Sequence, residues 1–155
     1  MSWRLRRAAV ADLPALVALE REAFASDRFN ARQFRYLLTQ ARATCLVAAD
    51  DDRLLGYAVA LYRADTTRGR LYGIAVANAA RGQGVATALV EAIAAAARAQ
   101  GCTALGLEVR ADNDAALGLY RKLGFVAAGV LPGYYEDGAA AIRMRRDLAV
   151  EPQSS

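Results

Sequence analysis

The spacing of apolar residues changes several times along the chain, and each change marks a predicted element. Apolar and charged residues alternate over 3–6, which predicts a short strand. Leu16, Val17, Leu19, Ala23 and Phe24 then recur at helical spacing. Residues 13–24 therefore predict a helix, with Asp12 as its N-cap and Pro14 in its first turn. Asn30 is placed to cap a second helix carrying Phe34, Leu37 and Leu38. Residues 44–49 and 54–62 are apolar, β-rich runs on either side of the acidic turn Asp50-Asp51-Asp52, and they predict an antiparallel hairpin. After a polar turn at 65–69, residues 70–76 add a third strand to this meander.

The clearest pattern comes next. Val85, Ala88, Leu89, Ala92, Ile93 and Ala96 fall on one face of a helix that stops at Gly101. Residues 104–109 predict a buried strand. Asn113 or Asp112 caps a further helix with the stripe Ala116, Leu119, Tyr120 and Leu123, ended by Gly124. Residues 125–130 and 141–148 predict two closing strands around a turn at 134–138. The expected fold is α/β or α+β, a mixed and largely antiparallel sheet of about six to seven strands flanked by about four helices. With no internal repeat, 1–150 is expected to form one domain and 151–155 a frayed tail.

Composition narrows the chemistry. Hydrophobic residues make up 55% and charged residues 23%, the balance of a globular chain. No apolar run reaches the ~18 residues of a membrane span, and 1–7 lacks the apolar core of a signal peptide. A soluble cytoplasmic protein is expected. The sequence has no histidine, which removes serine–histidine and cysteine–histidine catalysis and histidine-containing zinc sites; no metal is expected. A general base must then be Asp, Glu, Tyr, Cys or the single lysine, Lys122. Cys45 and Cys102, far apart in apolar segments, are expected to be buried free thiols. The net charge of +4 comes from scattered arginines and no long basic block, so a nucleic-acid partner is not expected. A mild positive field of this kind steers a polyphosphate toward a cleft.

Arg81-Gly82-Gln83-Gly84-Val85-Ala86 follows a predicted strand and opens a predicted helix. A helix start offers unpaired N–H groups and partial positive charge, and glycines let an anion approach them. Pyrophosphate binding is the chemistry implied. A Walker loop fails, because Val85 and Ala86 stand where Lys and Ser/Thr are needed. A dinucleotide fingerprint would take Glu108 as its acid, but Thr87 replaces the third glycine and the preceding strands read as hairpins. A glycine-rich turn without a ligand is the remaining reading of the loop taken alone.

With its flanks, the loop resembles the GNAT acetyltransferase superfamily. Arg81, Gly84 and Ala86 fit that family's Arg/Gln-x-x-Gly-x-Gly/Ala pattern, and Gly73-Ile74-Ala75-Val76 looks like its coenzyme-contacting strand. Leu107-Glu108-Val109-Arg110, then Asn113, Ala116, Leu119-Tyr120 and Leu123-Gly124-Phe125, resemble its second signature. Within the superfamily, the Leu-Glu-Val-Arg stretch and the pair Tyr134-Tyr135 look most like the ribosomal-protein alanine N-acetyltransferases.

The resemblance implies a GNAT-like fold and transfer of an acetyl group from acetyl-CoA to a primary amine, by direct attack. A protein N-terminal α-amine is the acceptor it favours. A small-molecule amine or lysine acceptor, or a non-catalytic acyl-CoA-binding module, stays open. It implies that the backbone of Ile74, Ala75 and Val76 pairs with the pantetheine arm, and that Arg81, Gly82, Gln83, Gly84, Val85, Ala86 and Thr87 hold the pyrophosphate. By the same resemblance Asn113 bonds the coenzyme arm, Glu108 is the general base through water, and Tyr120 protonates the departing thiolate. The resemblance also implies that Tyr134 and Tyr135 contact the acceptor. The partners implied are acetyl-CoA and an amine acceptor, with no membrane, for a monomer or a homodimer.

Each of these residues also has a plainer reading. A tyrosine in an apolar helix stripe, such as Tyr120, is usually core packing. Glu108 alternates with Leu107 and Val109 and reads equally as a solvated edge glutamate. Tyr134 and Tyr135 can simply cover the end of the sheet. The chain also departs from the subgroup. Leu131-Pro132-Gly133 stands where a basic residue is usual, and Ala139-Ala140-Ala141 replaces the usual acids.

Overall fold

The computed structural model describes residues 3–25, 28–51 and 53–148; the predicted tail at 151–155 and Asp52 of the acidic turn lie outside them. In chain order the elements are β1 (Arg4–Arg7), α1 (Leu13–Ala23), α2 (Ala31–Thr39), β2 (Ala43–Ala49), β3 (Leu54–Leu61), β4 (Arg68–Val76), α3 (Val85–Ala99), β5 (Ala104–Arg110), α4 (Asp114–Lys122), β6 (Val126–Leu131) and β7 (Ala141–Asp147). The seven strands form one sheet in the order β1-β2-β3-β4-β5-β7-β6. Every pairing is antiparallel except β4 with β5.

Local chemistry sets the helix starts. Asn30 and Gln33 form a reciprocal box before α2: Gln33 N donates to Asn30 Oδ1 at 2.9 Å and Asn30 N to Gln33 Oε1 at 2.8 Å. Asn113, not Asp112, caps α4, with Oδ1 accepting from Ala116 N at 3.1 Å. Asp12 stands at the predicted N-cap position of α1, but its side chain makes no capping bond to the helix. It ends a 3-10 turn, Val10–Asp12, and its carboxylate turns back to Ala9 N at 2.7 Å and to the Arg6 guanidinium at 2.8 and 2.9 Å. The charged fork of Arg6 outcompetes a helix amide for that carboxylate.

Each sheet face carries its own core. Leu89 and Ile93 of α3 and Phe125 after α4 pack with Leu55, Leu105, Leu107 and Met144 on one face. Leu16 of α1 and Phe34 of α2 pack with Val47, Tyr57 and Val59 on the other. Cys45 and Cys102 are free and buried, and burial pushes the Cys45 thiol up to about 12, so it stays protonated. At Gly56 of β3 a Cβ would lie 2.9 Å from Ala75 O and 3.0 Å from Val85 Cγ1, so this glycine lets α3 sit directly on the sheet.

The feature that matters most for function is a split in the sheet. The parallel β4–β5 ladder has three pairs only: Arg68 with Ala104, Gly69 with Leu105 and Arg70 with Gly106. Just past it the register of β4 against β3 slips, leaving Tyr72 without a partner between Leu71 and Gly73. A bulge bends and twists its strand. From there β4 and β5 part, and among the described residues their facing edges have no neighbouring strand.

Candidate active site

The split opens into a cavity of about 910 Å³ that holds nearly all the predicted site residues. Ile74, Ala75 and Val76 of β4 form one lip, and Leu107, Glu108, Val109 and Arg110 of β5 the other. At one end lies the loop before α3. Gly82 and Gly84 take left-handed backbone angles, φ 82° and 78°, and Gly84 is the N-cap residue of α3 with no capping side chain. The first bond into the helix runs from Ala88 N to Gly84 O, at 3.0 Å, so the amides of Val85, Ala86 and Thr87 precede the ladder. A Cβ at Gly82 or Gly84 would meet nothing within 4 Å. Uncapped donors facing open space at a helix N-terminus suit a pyrophosphate.

Arg81, Gly82, Gly84, Val85, Ala86 and Thr87 all line the cavity; Gln83 does not. The Gln83 side chain turns back, Nε2 donating to Ala79 O at 3.4 Å, so its backbone alone is available to the loop. Arg81 Nε donates to Asn78 Oδ1 at 3.2 Å, and Asn78 N to Glu22 Oε2 at 2.5 Å, which ties the loop to α1.

Asn113 and Tyr120, two turns apart on α4, both line the cavity. The cap uses Oδ1 of Asn113 and leaves its Nδ2 as a donor. Tyr120 is 8% exposed and meets Phe125 edge-on at 5.7 Å. Burial, with nearby Tyr135 adding to it, holds its phenol well above the usual range. Tyr120 is thus both a core side chain and a wall of the cavity, and it keeps its proton at neutral pH.

Glu108 lies on an interior strand, not at an edge, and its side chain is 14% exposed. It points to the α1/α2 side of the sheet, whereas Tyr120 belongs to the core on the α3/α4 side. Glu108 is ion-paired with Arg70 and accepts from Tyr134 Oη at 3.3 Å; Arg70 Nη2 also donates to Tyr134 Oη at 3.0 Å. Tyr134 is not part of the cavity wall, but these bonds hold it at the mouth. Tyr135 lines the cavity with the Arg110 guanidinium 4.5 Å over its ring, and Arg110 is ion-paired with Asp137.

Four contributors were not predicted. Glu20 of α1, 2% exposed, lines the cavity, accepts from Tyr57 Oη at 2.5 Å and from Phe29 N at 2.9 Å. Burial raises its carboxyl above the ordinary range. Phe29 in turn stacks on Tyr72 at 5.2 Å, over Gly73, where a Cβ would come within 2.7 Å of the Phe29 ring. Glu20 has a sequence signal: it falls on the apolar stripe of Leu13 and Leu16, where a carboxylate is out of place. Arg70, Tyr57 and Phe29 have none: the roles of Arg70 and Tyr57 depend on sheet register, and that of Phe29 on how the segment between α1 and α2 lies over β4.

Residues 12–125 match the model of the Acetyltransferase (GNAT) family. N-alpha-acetyltransferase 30 of Schizosaccharomyces pombe is 33% identical over 121 residues, 76% of this chain and 81% of that protein. The L-methionine sulfoximine/L-methionine sulfone acetyltransferase of Pseudomonas aeruginosa is 33% identical over 146 residues, 85% of each. The crystal structure of the ribosomal-protein-S18-alanine N-acetyltransferase from Escherichia coli superposes with a TM-score of 0.85 at 27% identity, covering 99% of both chains.

Proposed function

The chain belongs to the GNAT acetyltransferase family and is an acetyl-CoA-dependent N-acetyltransferase, and on that premise we propose that its acceptor is a protein N-terminal α-amine. One arrangement carries the assignment of roles. A carboxylate, Glu108, and a protonated phenol, Tyr120, approach one split in the sheet from opposite faces, with uncapped helix amides at its far end.

Acetyl-CoA, when bound, supplies the activated acetyl group. The amides from Gly82 to Thr87 hold its pyrophosphate, and the free edge at Ile74, Ala75 and Val76 pairs with its arm as an added strand would. Asn113 donates to the arm through Nδ2. An α-amine has a pKa near 7.7–8.0, so a fraction is neutral at pH 7 and can attack directly. The N–C bond forms and the C–S bond breaks. Glu108 accepts the amine's surplus proton through a water molecule, a β4 N–H stabilises the charge on the carbonyl oxygen, and Tyr120 gives its proton to the leaving sulfur. Arg70 and Tyr134 hold the Glu108 carboxylate in place. Tyr135 and Tyr134 border the acceptor.

The relatives named as N-alpha-acetyltransferases support the α-amine acceptor. The relative named for methionine sulfoximine favours a second reading, a small amino-acid acceptor. Thiol release from acetyl-CoA with N-terminal peptides, lysine peptides and small amino acids separates the two. Peptides with a free α-amine should be turned over best; a faster small amino acid would overturn the proposal. Tyr120→Phe should lower kcat by ~100-fold while the coenzyme Kd changes little. Unchanged kcat would remove Tyr120 from the reaction.

A further inference from the structure

The α1/α2 side of the sheet is only half covered. Helices α1 and α2 pack on β2, β3 and β4. Beyond them the same face of β4, β5 and β7 carries charged side chains. Arg68 and Arg70 lie on β4, in register with Ala104 and Gly106 of β5; Glu108 pairs directly with Arg143 of β7, and Gly106 with Arg145. Directly opposed residues share a face. All four arginines are exposed. Arg70 is ion-paired with Glu108 and Arg145 with Asp147. Arg68, whose Cδ lies over Gly106, and Arg143 have no carboxylate partner among the described residues. Two positive charges are therefore left over on this face, Arg143 directly beside Glu108 and Arg68 four residues along β5 from it.

The route into the cavity gives this surface its meaning. The pyrophosphate end lies at α3, on the opposite side of the sheet from Glu108. An acceptor whose amine reaches Glu108 therefore enters from the α1/α2 side, and its remainder lies on the arginines. Arg68 lies level with Ala104 and Arg143 level with Glu108, so the two are two strand spacings apart across the sheet and four residues apart along it, roughly 16 Å in all. One carboxylate does not span that distance, whereas an extended chain with several does. Nucleic acid would also suit the charge, but it offers no aliphatic amine to Glu108.

Resting on the α-amine acceptor proposed above, we infer that the open face of β4, β5 and β7 binds an acidic stretch of the acceptor polypeptide, a few residues downstream of its amino terminus. The acceptor class is thus N-termini followed by Asp and Glu.

Peptides sharing their first two residues, followed by glutamates, glutamines or lysines, test this in two ways. In the first, kcat/KM is measured for wild type and for the double variant Arg68→Glu, Arg143→Glu. The glutamate series should exceed the glutamine series by ~10-fold at low salt, and the variant should abolish that advantage. An unchanged coenzyme Kd would establish that the variant is folded. In the second, an N-acetylated glutamate peptide, fluorescein-labelled at its C-terminus, is followed by anisotropy with coenzyme A present. Binding that weakens in the variant supports the acidic surface even if no peptide is turned over, in which case the α-amine reading alone fails. No preference for glutamate in either measurement, or a preference the variant keeps, overturns the inference. So does tighter binding of an oligouridylate of equal charge.

Discussion

Gly84 carries more consequence for its size than any other residue of the site. Its left-handed backbone, φ 78°, turns the chain into α3, and its missing side chain leaves the helix amides open. Gly84→Asp is expected to weaken acetyl-CoA binding by at least ~100-fold in calorimetry, since a carboxylate would stand against the pyrophosphate in a strained conformation. Retained affinity would move the phosphate site elsewhere. Glu20 makes a different demand. Its folded pKa is raised, chiefly by burial, so its contribution to stability is full below the ordinary value of 4.5 and is lost as pH rises through the folded value. Glu20→Gln keeps an acceptor for Phe29 N, turns its NH2 toward the Tyr57 hydroxyl oxygen, which can accept, and removes the titration. The urea midpoint of the wild type should therefore fall relative to the variant as pH rises above the ordinary carboxyl value of 4.5. Parallel midpoints over that rise would mean that Glu20 gains nothing from protonation. Glycines at a helix start are legible in a sequence because few residues adopt positive φ. Glu20 was harder to read, since what makes it matter is the Tyr57 hydroxyl, which comes from β3, far along the chain.

At the level of elements, the seating of α3 on β3 fixes where its N-terminus points. Gly56→Val would drive a side chain into Ala75 O and Val85, the first residue of α3. We expect a loss of about 1–3 kcal/mol in urea unfolding, as for overpacking, together with weaker coenzyme binding. Loss of stability with intact affinity would show that the helix re-seats without moving its amides. Helices and strands were predicted within a residue or two, because Val85, Ala88, Leu89, Ala92 and Ile93 keep one period and residues 44–49 and 54–62 another. The insertion of β7 between β5 and β6, and the parallel contact of β4 with β5, were not legible. Periodicity tells which face of a strand is buried, not which strand lies beside it. Tyr72 illustrates the limit: Gly73 beside it is a general signal for a bulge but does not say that a neighbouring strand parts there, yet Tyr72 marks where the sheet divides.

For the molecule as a whole, the sheet behaves as two leaves, β1 to β4 and β5 to β7, joined by three residue pairs at one end. Along residues 71–76 and 107–110, every second amide faces the gap instead of a partner strand. In heavy water those protons are open to deuterium, whereas their neighbours bonded to β3 and β7 are shielded. A ligand lying between the leaves would close them, so hydrogen–deuterium exchange should slow on both lips when acetyl-CoA is added, and not on β1 or β6. Substrate would then serve as an eighth strand, and the fold would be finished only while it is at work.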